Sequence, residues 1–391
     1  MKLLMFPNLQ FIYELNLVKL EMATLSPSAI LDDDFRSFLL EDQLTVENVR
    51  KRSAYICCVD DVLTDYAVLT RKNITRAFNQ YITHWFYPYK GKFHPQMVRA
   101  LANIMGLHPG DTLLDPFSGS GTSVLEGALL GLKTIGYDVS PLCVLIGKMK
   151  TNAIHHLSKI EQADQQLLLI EEHPSTWNEQ IVQQLSDPIL SFDLLSRLIS
   201  KSDEMRRGHN YQQKHLSNRA KMIQSLRLMK EGCAEAGIVP FPAKLEIADA
   251  RCLPISDQSV DGVITSPPYS IALNYVENDA HALEMLGYDL NKIKDDFIGV
   301  RGVGSKRYDL YEQDMEKVYQ EIARVLKPGK NASIIVGNMT VNGKELDTVT
   351  NCIRHCARQG LQLVNKIEKI IYGLYNVMQH EWILIFQRTN K

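Results

Sequence analysis

From about Gly110 to Arg388, short apolar runs alternate with segments of helical periodicity, and this alternation restricts the fold more than any other feature of the chain. Strands separated by helices must be joined by crossovers, which set the strands parallel in one sheet and the helices on its faces. Asp111–Asp115, Lys133–Asp138, Ala243–Asp249, Asp261–Thr265 and Ala332–Gly337 read as strands. Gly121–Gly131, Leu142–Ala153, Asp314–Leu326 and Leu346–Arg358 read as helices. The closing runs Leu361–Tyr372 and Glu381–Arg388 have no helix between them, so one of the two can run antiparallel. The expected class is α/β: a Rossmann-like, mostly parallel sheet with helices on both faces.

Two regions stand outside this alternation. Residues 154–242 are rich in Gln, Ser, Leu and charge, with helical periodicity and no strand pattern, and read as a helical insertion. Residues 1–80 mix a helical start with apolar runs such as Ser53–Cys57 and form an extension whose role the sequence does not disclose. The expected division is an extension over 1–80, a catalytic core over 81–153 and 243–391, and the insertion between them. At 391 residues and 45% hydrophobic, the chain can bury a full core. Its net charge of -2 carries no overall basicity, so a nucleic-acid surface would have to come from local clustering. The seven cysteines form no CxxC pair, which argues for reduced thiols and against a disulfide framework or zinc ribbon. The opening MKLLMFPNLQFIYELNL is interrupted by Asn8, Gln10 and Glu14 and is not read as a signal peptide. No run approaches the ~20 apolar residues of a membrane span, so a cytoplasmic protein is expected.

Leu114-Asp-Pro-Phe-Ser-Gly-Ser-Gly-Thr122 falls at a strand-to-helix turn. Glycines there permit close approach of backbone to a ligand, and the free N–H groups of the next helix suit an anion. Asp138 ends the following strand 19 residues after Gly119, where a carboxylate can take both hydroxyls of a ribose. Further on, Thr265-Ser-Pro-Pro-Tyr269 leaves a strand through two prolines, a stiff extended exit biased toward carbonyl acceptors. An amine conjugated to a ring is a poor nucleophile. Acceptors on its two N–H bonds draw it toward a tetrahedral, reactive form, and Ser266 Oγ with the Pro267 carbonyl could supply them. The Tyr269 ring could stack on a base lifted out of a duplex. Such chemistry needs no metal.

These motifs resemble those of the S-adenosylmethionine-dependent DNA amino-methyltransferases, in particular the N4-cytosine type. Asp115–Thr122 is similar to the family's DPFxGSGT cofactor motif, and Ser266–Tyr269 to its (S/N/D)PPY signature, whose Ser form is typical of N4-cytosine enzymes. The resemblance implies a class I methyltransferase fold with a seven-stranded sheet and S-adenosyl-L-methionine as cofactor. It implies cofactor contacts by Asp115, Pro116, Phe117, Gly119, Gly121 and Thr122, a ribose contact by Asp138 and an adenine contact by Asp249. Lys92-Phe-His-Pro95 is similar to the family's segment over the methionine end, although His94 suits helix capping equally well. The catalytic set implied is Ser266, Pro267, Pro268 and Tyr269. Gln379–Phe386 is similar to the family's closing His-Glu strand.

DNA is the expected partner. Lys201–Lys230 holds eight cations against two acids, and Arg206, Arg207, Lys214 and Arg219 are candidate phosphate contacts. Gly299–Arg307 adds Arg301, Lys306 and Arg307 in a glycine-rich loop. The reading is a site-specific DNA cytosine-N4 methyltransferase, as in restriction-modification. The cofactor motif precedes the chemistry motif, the reverse of many N4-cytosine enzymes. That order is shared with tRNA guanine-N2 methyltransferases, so tRNA and DNA adenine-N6 remain alternative substrates. A nucleic-acid-binding protein on an inactive methyltransferase fold is disfavoured by the intact motif residues. The target sequence, a cognate endonuclease and the oligomeric state are left open.

Overall fold

The computed structural model describes all residues except 168–186, 269–274, 303–304, 342–343, 373–377 and 390–391. Five short strands come first: β1 (Lys2–Met5), β2 (Ile30–Leu31), β3 (Ser37–Leu39), β4 (Ile56–Val59) and β5 (Val62–Leu63). They form an antiparallel sheet in the order β2-β3-β1-β4-β5. Helices α1 (Ile12–Leu25), α2 (Val46–Arg52) and α3 (Asp65–Arg71) accompany it. The periodicity of residues 1–80 did not reveal this sheet, because strands of two to four residues are too short to show alternation.

The second sheet contains β6 (Thr112–Asp115), β7 (Lys133–Asp138), β8 (Lys244–Ile247), β9 (Val260–Thr265) and β10 (Leu326–Gly337). A small hairpin, β11 (Met339–Val341) and β12 (Lys344–Leu346), lies apart, and β13 (Leu361–Tyr372) and β14 (Met378–Arg388) close the large sheet. Its order is β13-β14-β10-β9-β6-β7-β8. All neighbours pair parallel except β14, which is antiparallel to both β10 and β13. The fold is thus a class I, Rossmann-like methyltransferase sheet, and the reversed strand is one of the closing pair that lacks a helix between its members. The crossovers are α4 (Pro95–Ile104) before β6, α5 (Thr122–Leu129) and α6 (Pro141–Asn152). Among the described residues, three helices of the insertion follow: α7 (Leu157–Leu167), α8 (Pro188–Arg207) and α9 (Tyr211–Glu235). Then come α10 (Ser305–Val325) and α11 (Thr348–Arg358).

From β6 the chain winds outward through β7 to β8, then returns to the other side of β6 as β9. The order reverses between β6 and β9. Adjacent crossovers diverge there, and a crevice opens at the carboxyl ends of the strands.

The N-terminal sheet is not an appendage. Leu3, Phe38 and Ile56 share one apolar cluster with Leu101 of α4 and with Ile264, Ile335 and Ile383 of the large sheet. Buried polar groups pin the same seam. The Glu21 carboxylate accepts from Ser53 Oγ at 2.9 Å, Ala54 N–H at 2.8 Å and Asn103 Nδ2 at 2.7 Å. Arg52 donates to Asn103 Oδ1 at 3.1 Å and to the Leu107 carbonyl at 2.6 Å. Deeper still, Glu126 of α5 pairs with Arg99 Nε of α4 at 3.1 Å and accepts from His84 Nε2 at 2.8 Å and from Tyr81 Oη. Burial opposes ionisation of Glu126, but the His84 hydrogen bond and the Arg99 charge overcome it and hold its pKa below the ordinary carboxylate value.

Within the insertion, α8 ends at Gly208 in the left-handed conformation, and Asn210 caps α9 through Gln213 N–H, so the two helices fold back on each other. Leu195, Leu198 and Phe192 of α8 and Met222 and Leu226 of α9 join a second core with Leu145 and Ile146 of α6. Among the described residues no helix is long and apolar enough to cross a membrane.

Removing Arg99 strands a buried carboxylate. Arg99→Ala is expected to destabilise the protein by about 3–5 kcal/mol in urea unfolding. Exposed Arg207→Ala should change stability by about 0.5 kcal/mol or less. Equal effects of the two would refute the structural role assigned to the Arg99–Glu126 pair.

Candidate active site

The switch-point crevice is built by two loops that a single buried carboxylate joins. Asp115, 1% exposed, ends β6. It accepts from Thr265 Oγ1 at the end of β9 at 2.8 Å, from Phe117 N–H at 3.1 Å and from Ser123 Oγ of α5. Burial raises its pKa to about 6 against the pull of those donors. The residue before Ser266 is thereby tied to the strand that launches the glycine-rich turn. Asp115 itself lies beneath the crevice floor.

Asp138, at the end of β7, accepts from Gly119 N–H and Ser140 N–H, both at 2.9 Å. It is half-buried, and desolvation raises its pKa to about 6. Gly121 has φ +73°, and a Cβ there would sit 2.7 Å from Gly147 Cα of α6. No side chain fits between the two helices at that point.

Of the residues singled out from the sequence, Lys92, Phe93, Pro116, Phe117, Gly119, Thr122, Asp138, Asp249, Ser266 and Pro268 line this one crevice. Others lie elsewhere. Asp115, Gly121 and Pro267 are part of its support, and His94 and Pro95 line a neighbouring pocket. His94 occupies the N-cap position of α4 without a side-chain capping bond. Tyr269 lies outside the described residues. Two residues behave differently from the simplest expectation. The Lys92 ammonium turns away from the crevice, donating to the carbonyls of Tyr87 at 2.6 Å and His84 at 3.1 Å, and burial lowers its pKa to about 8. Asp249 is already paired with Arg251, at 2.7 Å from Nη2 and 2.9 Å from Nε, so the third acid stands there as a neutralised group. Tyr89, Phe297 and Ile298 complete the walls. No motif marks Phe297 and Ile298, since apolar residues in a loop carry no periodic signal.

The candidate nucleic-acid residues divide. Arg207 and Lys306 are exposed, and Lys214 is half-buried. Arg206 donates to the Pro88 carbonyl at 3.1 Å and lies 4.0 Å from Asp279. Arg307 donates to the Gly299 carbonyl at 2.6 Å, and Arg301 is bound by Asp314. Arg219 is corrected outright. It is 5% exposed and held by Asp164 and, at 2.6 Å, by Asp193, so it joins α9 to α7 and α8 and reaches no external phosphate.

The crevice fits S-adenosylmethionine. Gly119 has φ +47°, and a Cβ there would press to 3.2 Å from the Tyr89 ring, so the turn suits glycine. Asp138 offers carboxylate acceptors to the crevice, aromatic side chains flank it, and Ser266 lies within the same cavity. Residues 86–286, just over half of the chain, match the model of the RMKL-like methyltransferase domain. The chain belongs to that family. S-adenosylmethionine is the cofactor of this methyltransferase fold. Among relatives, the chain is 24% identical over 313 residues to Type II methyltransferase M.BsoBI of Geobacillus stearothermophilus, covering 64% of this chain and 61% of the relative. It is 40% identical over 79 residues to Type II methyltransferase M.MjaII of Methanocaldococcus jannaschii, covering 20% and 15%. It is 34% identical over 84 residues to the tRNA (guanine(10)-N2)-dimethyltransferase of Methanothermobacter thermautotrophicus, covering 20% and 24%. The chain therefore spans less than two thirds of each of these relatives.

Cofactor binding should titrate with Asp138. Ribose hydroxyls donate to an ionised carboxylate, and protonation removes acceptor capacity. Affinity for S-adenosylmethionine, measured by calorimetry, is therefore expected to be level above about pH 7 and to weaken as pH falls through about 6. Asp138→Asn should reduce that dependence, leaving the part contributed by Asp115, which titrates in the same range. Gly121→Ala should abolish cofactor binding or folding, read by calorimetry and circular dichroism.

Proposed function

We propose that the protein transfers a methyl group to the exocyclic N4 amine of cytosine in DNA. The observation that carries this reading is the Thr265–Asp115 hydrogen bond, which holds the Ser266-Pro267-Pro268 segment against the cofactor turn of the same crevice. When bound, S-adenosylmethionine supplies an electrophilic methyl group on a sulfonium. The protein's contribution is position. Ser266 Oγ and the Pro267 carbonyl accept from the two N–H bonds of the base amine and turn its lone pair toward the methyl carbon. Serine is too weak a base to remove the proton before transfer, so the proton leaves the methylated amine to solvent afterwards. Holding two reactants in line contributes much of such a rate.

The Ser form of the motif supports cytosine, and the Type II methyltransferase relatives support DNA. Arg206, Arg207 and Lys214 on the α8–α9 hairpin, with Lys306 and Arg307 near the site, are the proposed phosphate contacts. A second reading, a guanine-N2 methyltransferase acting on tRNA, draws on the relatives of that name and on the shared order of motifs. Incubation with labelled cofactor, duplex DNA and bulk tRNA in parallel, followed by nucleoside mass spectrometry, separates the two. N4-methylcytosine from DNA supports the first, and N2-methylguanine from tRNA replaces it with the second.

Ser266→Ala is expected to lower kcat on the order of 100-fold, with the cofactor Kd within about threefold of the parent. Asp138→Ala should instead raise that Kd about tenfold or more, the equivalent of ~1.4 kcal/mol. Full turnover by Ser266→Ala would overturn the assignment of the catalytic segment.

A further inference from the structure

Away from the cofactor crevice, the hairpin β4–β5 of the N-terminal sheet brings two thiols together. Leu4 of β1 pairs with Cys58 and Met5 with Ile56, so Cys57 is the extra residue of a β-bulge. Successive side chains of a regular strand point to opposite faces. The bulge cancels that alternation, and the Sγ atoms of Cys57 and Cys58 lie 3.2 Å apart. The surroundings hold the bulge in place. The Cys57 carbonyl accepts from Thr64 N–H at 3.0 Å and from Thr64 Oγ1 at 3.4 Å. Asp60 and Asp61, both with positive φ, close the hairpin as a tight two-residue turn between Val59 and Val62. Ile56 and Val59 on either side are buried, whereas both cysteines are free thiols and half-exposed.

This pair suits a bridging atom better than a bond between its own sulfurs. Adjacent Cα atoms are about 3.8 Å apart, below the roughly 4.4–6.8 Å that unstrained disulfides span. A soft ion bonded to both sulfurs enlarges the ring by one atom and relieves that strain. Bonds of about 2.3 Å to each sulfur, the length of a zinc–thiolate bond, meet at roughly 90° across the 3.2 Å gap. A tetrahedral centre would need a gap of about 3.8 Å, and a linear one more. A right angle suits a pyramidal trivalent centre with a lone pair. Burial, and then the hydrogen bond with Cys58, pushes the Cys57 thiol up to about 12, so Cys57 rests protonated. A reagent that needs one free thiolate gains little from such a group, whereas a centre that takes both sulfurs displaces both protons.

We propose that Cys57 and Cys58 form a two-thiol chelate for one trivalent thiophilic ion of the arsenic(III) class. With an organoarsenous oxide as ligand, two As–S bonds replace the bonding of arsenic to its oxygen. The two thiol protons leave with that oxygen as water, and no atom changes oxidation state. The site lies on the N-terminal sheet and does not depend on which nucleic acid is methylated.

The test uses the full reduced chain with phenylarsine oxide as probe, gel filtration in excess glutathione, and mass spectrometry of the intact protein and its peptides. One arsenical per chain is expected to survive the monothiol, on the peptide that holds Cys57 and Cys58, and to be released by the dithiol dimercaptopropanol. Loss of either thiol leaves a single bond, so Cys57→Ser and Cys58→Ser should each weaken retention on the order of 100-fold. Cys252→Ser removes an exposed lone thiol and should change nothing. Cys352 and Cys356, one turn apart on α11, are a competing pair, but both are buried. The wild-type map uses unaltered protein, so a misfolded variant cannot imitate it, and circular dichroism checks the fold of each variant. An adduct that glutathione strips from the wild type, or that maps to Cys352 and Cys356, overturns the proposal. So does retention by either folded serine variant of the pair, or its loss in Cys252→Ser.

Discussion

The hydrogen bond from Thr265 Oγ1 to the buried Asp115 carboxylate is the contact on which the arrangement of the site depends. The two residues are 150 positions apart, at the carboxyl ends of the strands that flank the switch point. Asp115 also gathers Phe117 N–H and Ser123 Oγ, so the strand, the turn and the first turn of α5 converge on one group. A carboxyl buried this fully is tolerable only when its lone pairs are met. Satisfying them brings the cofactor turn and the Ser-Pro-Pro segment to one crevice. Asp115 thus acts through the scaffold, as Asp138 does when it binds Gly119 N–H and Ser140 N–H.

A second constraint spreads outward from α4 and α5. Arg99, Glu126, His84 and Tyr81 form a buried polar knot beneath the N-terminal side of the site. Around it the small antiparallel sheet and the large parallel one share a single apolar core. This seam makes residues 1–80 part of one body with the large sheet. Within the knot the Glu126 carboxylate can only accept, so it holds the proton on Nε2 of His84.

Local charge density was a poor guide to which cations stand free at the surface. Lys201–Lys230 is strongly basic as a string of letters, yet Arg219 turns inward to Asp164 and Asp193. Arg206 turns to a backbone carbonyl, while Arg207 stays exposed. Helical periodicity assigns a residue to a face only when the partners of that face are known, and α7 and α8 supply those partners from outside the segment. Asp249 is a similar case. Its place at the end of a strand was legible, but its pairing with Arg251 was not.

By itself the sequence determined the mostly parallel sheet and the members of the two main motifs, and it allowed a reversal in the closing pair of strands. These are local properties: alternation of periodicity, a missing crossover helix, and glycines and prolines whose backbone limits act at their own positions. Tertiary structure alone decided the rest. It placed Asp115 under the site rather than in it, turned the Lys92 ammonium onto backbone carbonyls and buried Arg219 between helices. It also assembled a sheet from strands of two to four residues, too short for any pattern. The physical reason is the same in each case. Desolvation and hydrogen-bond satisfaction depend on which groups meet across long sequence distances, and that information resides in the packing.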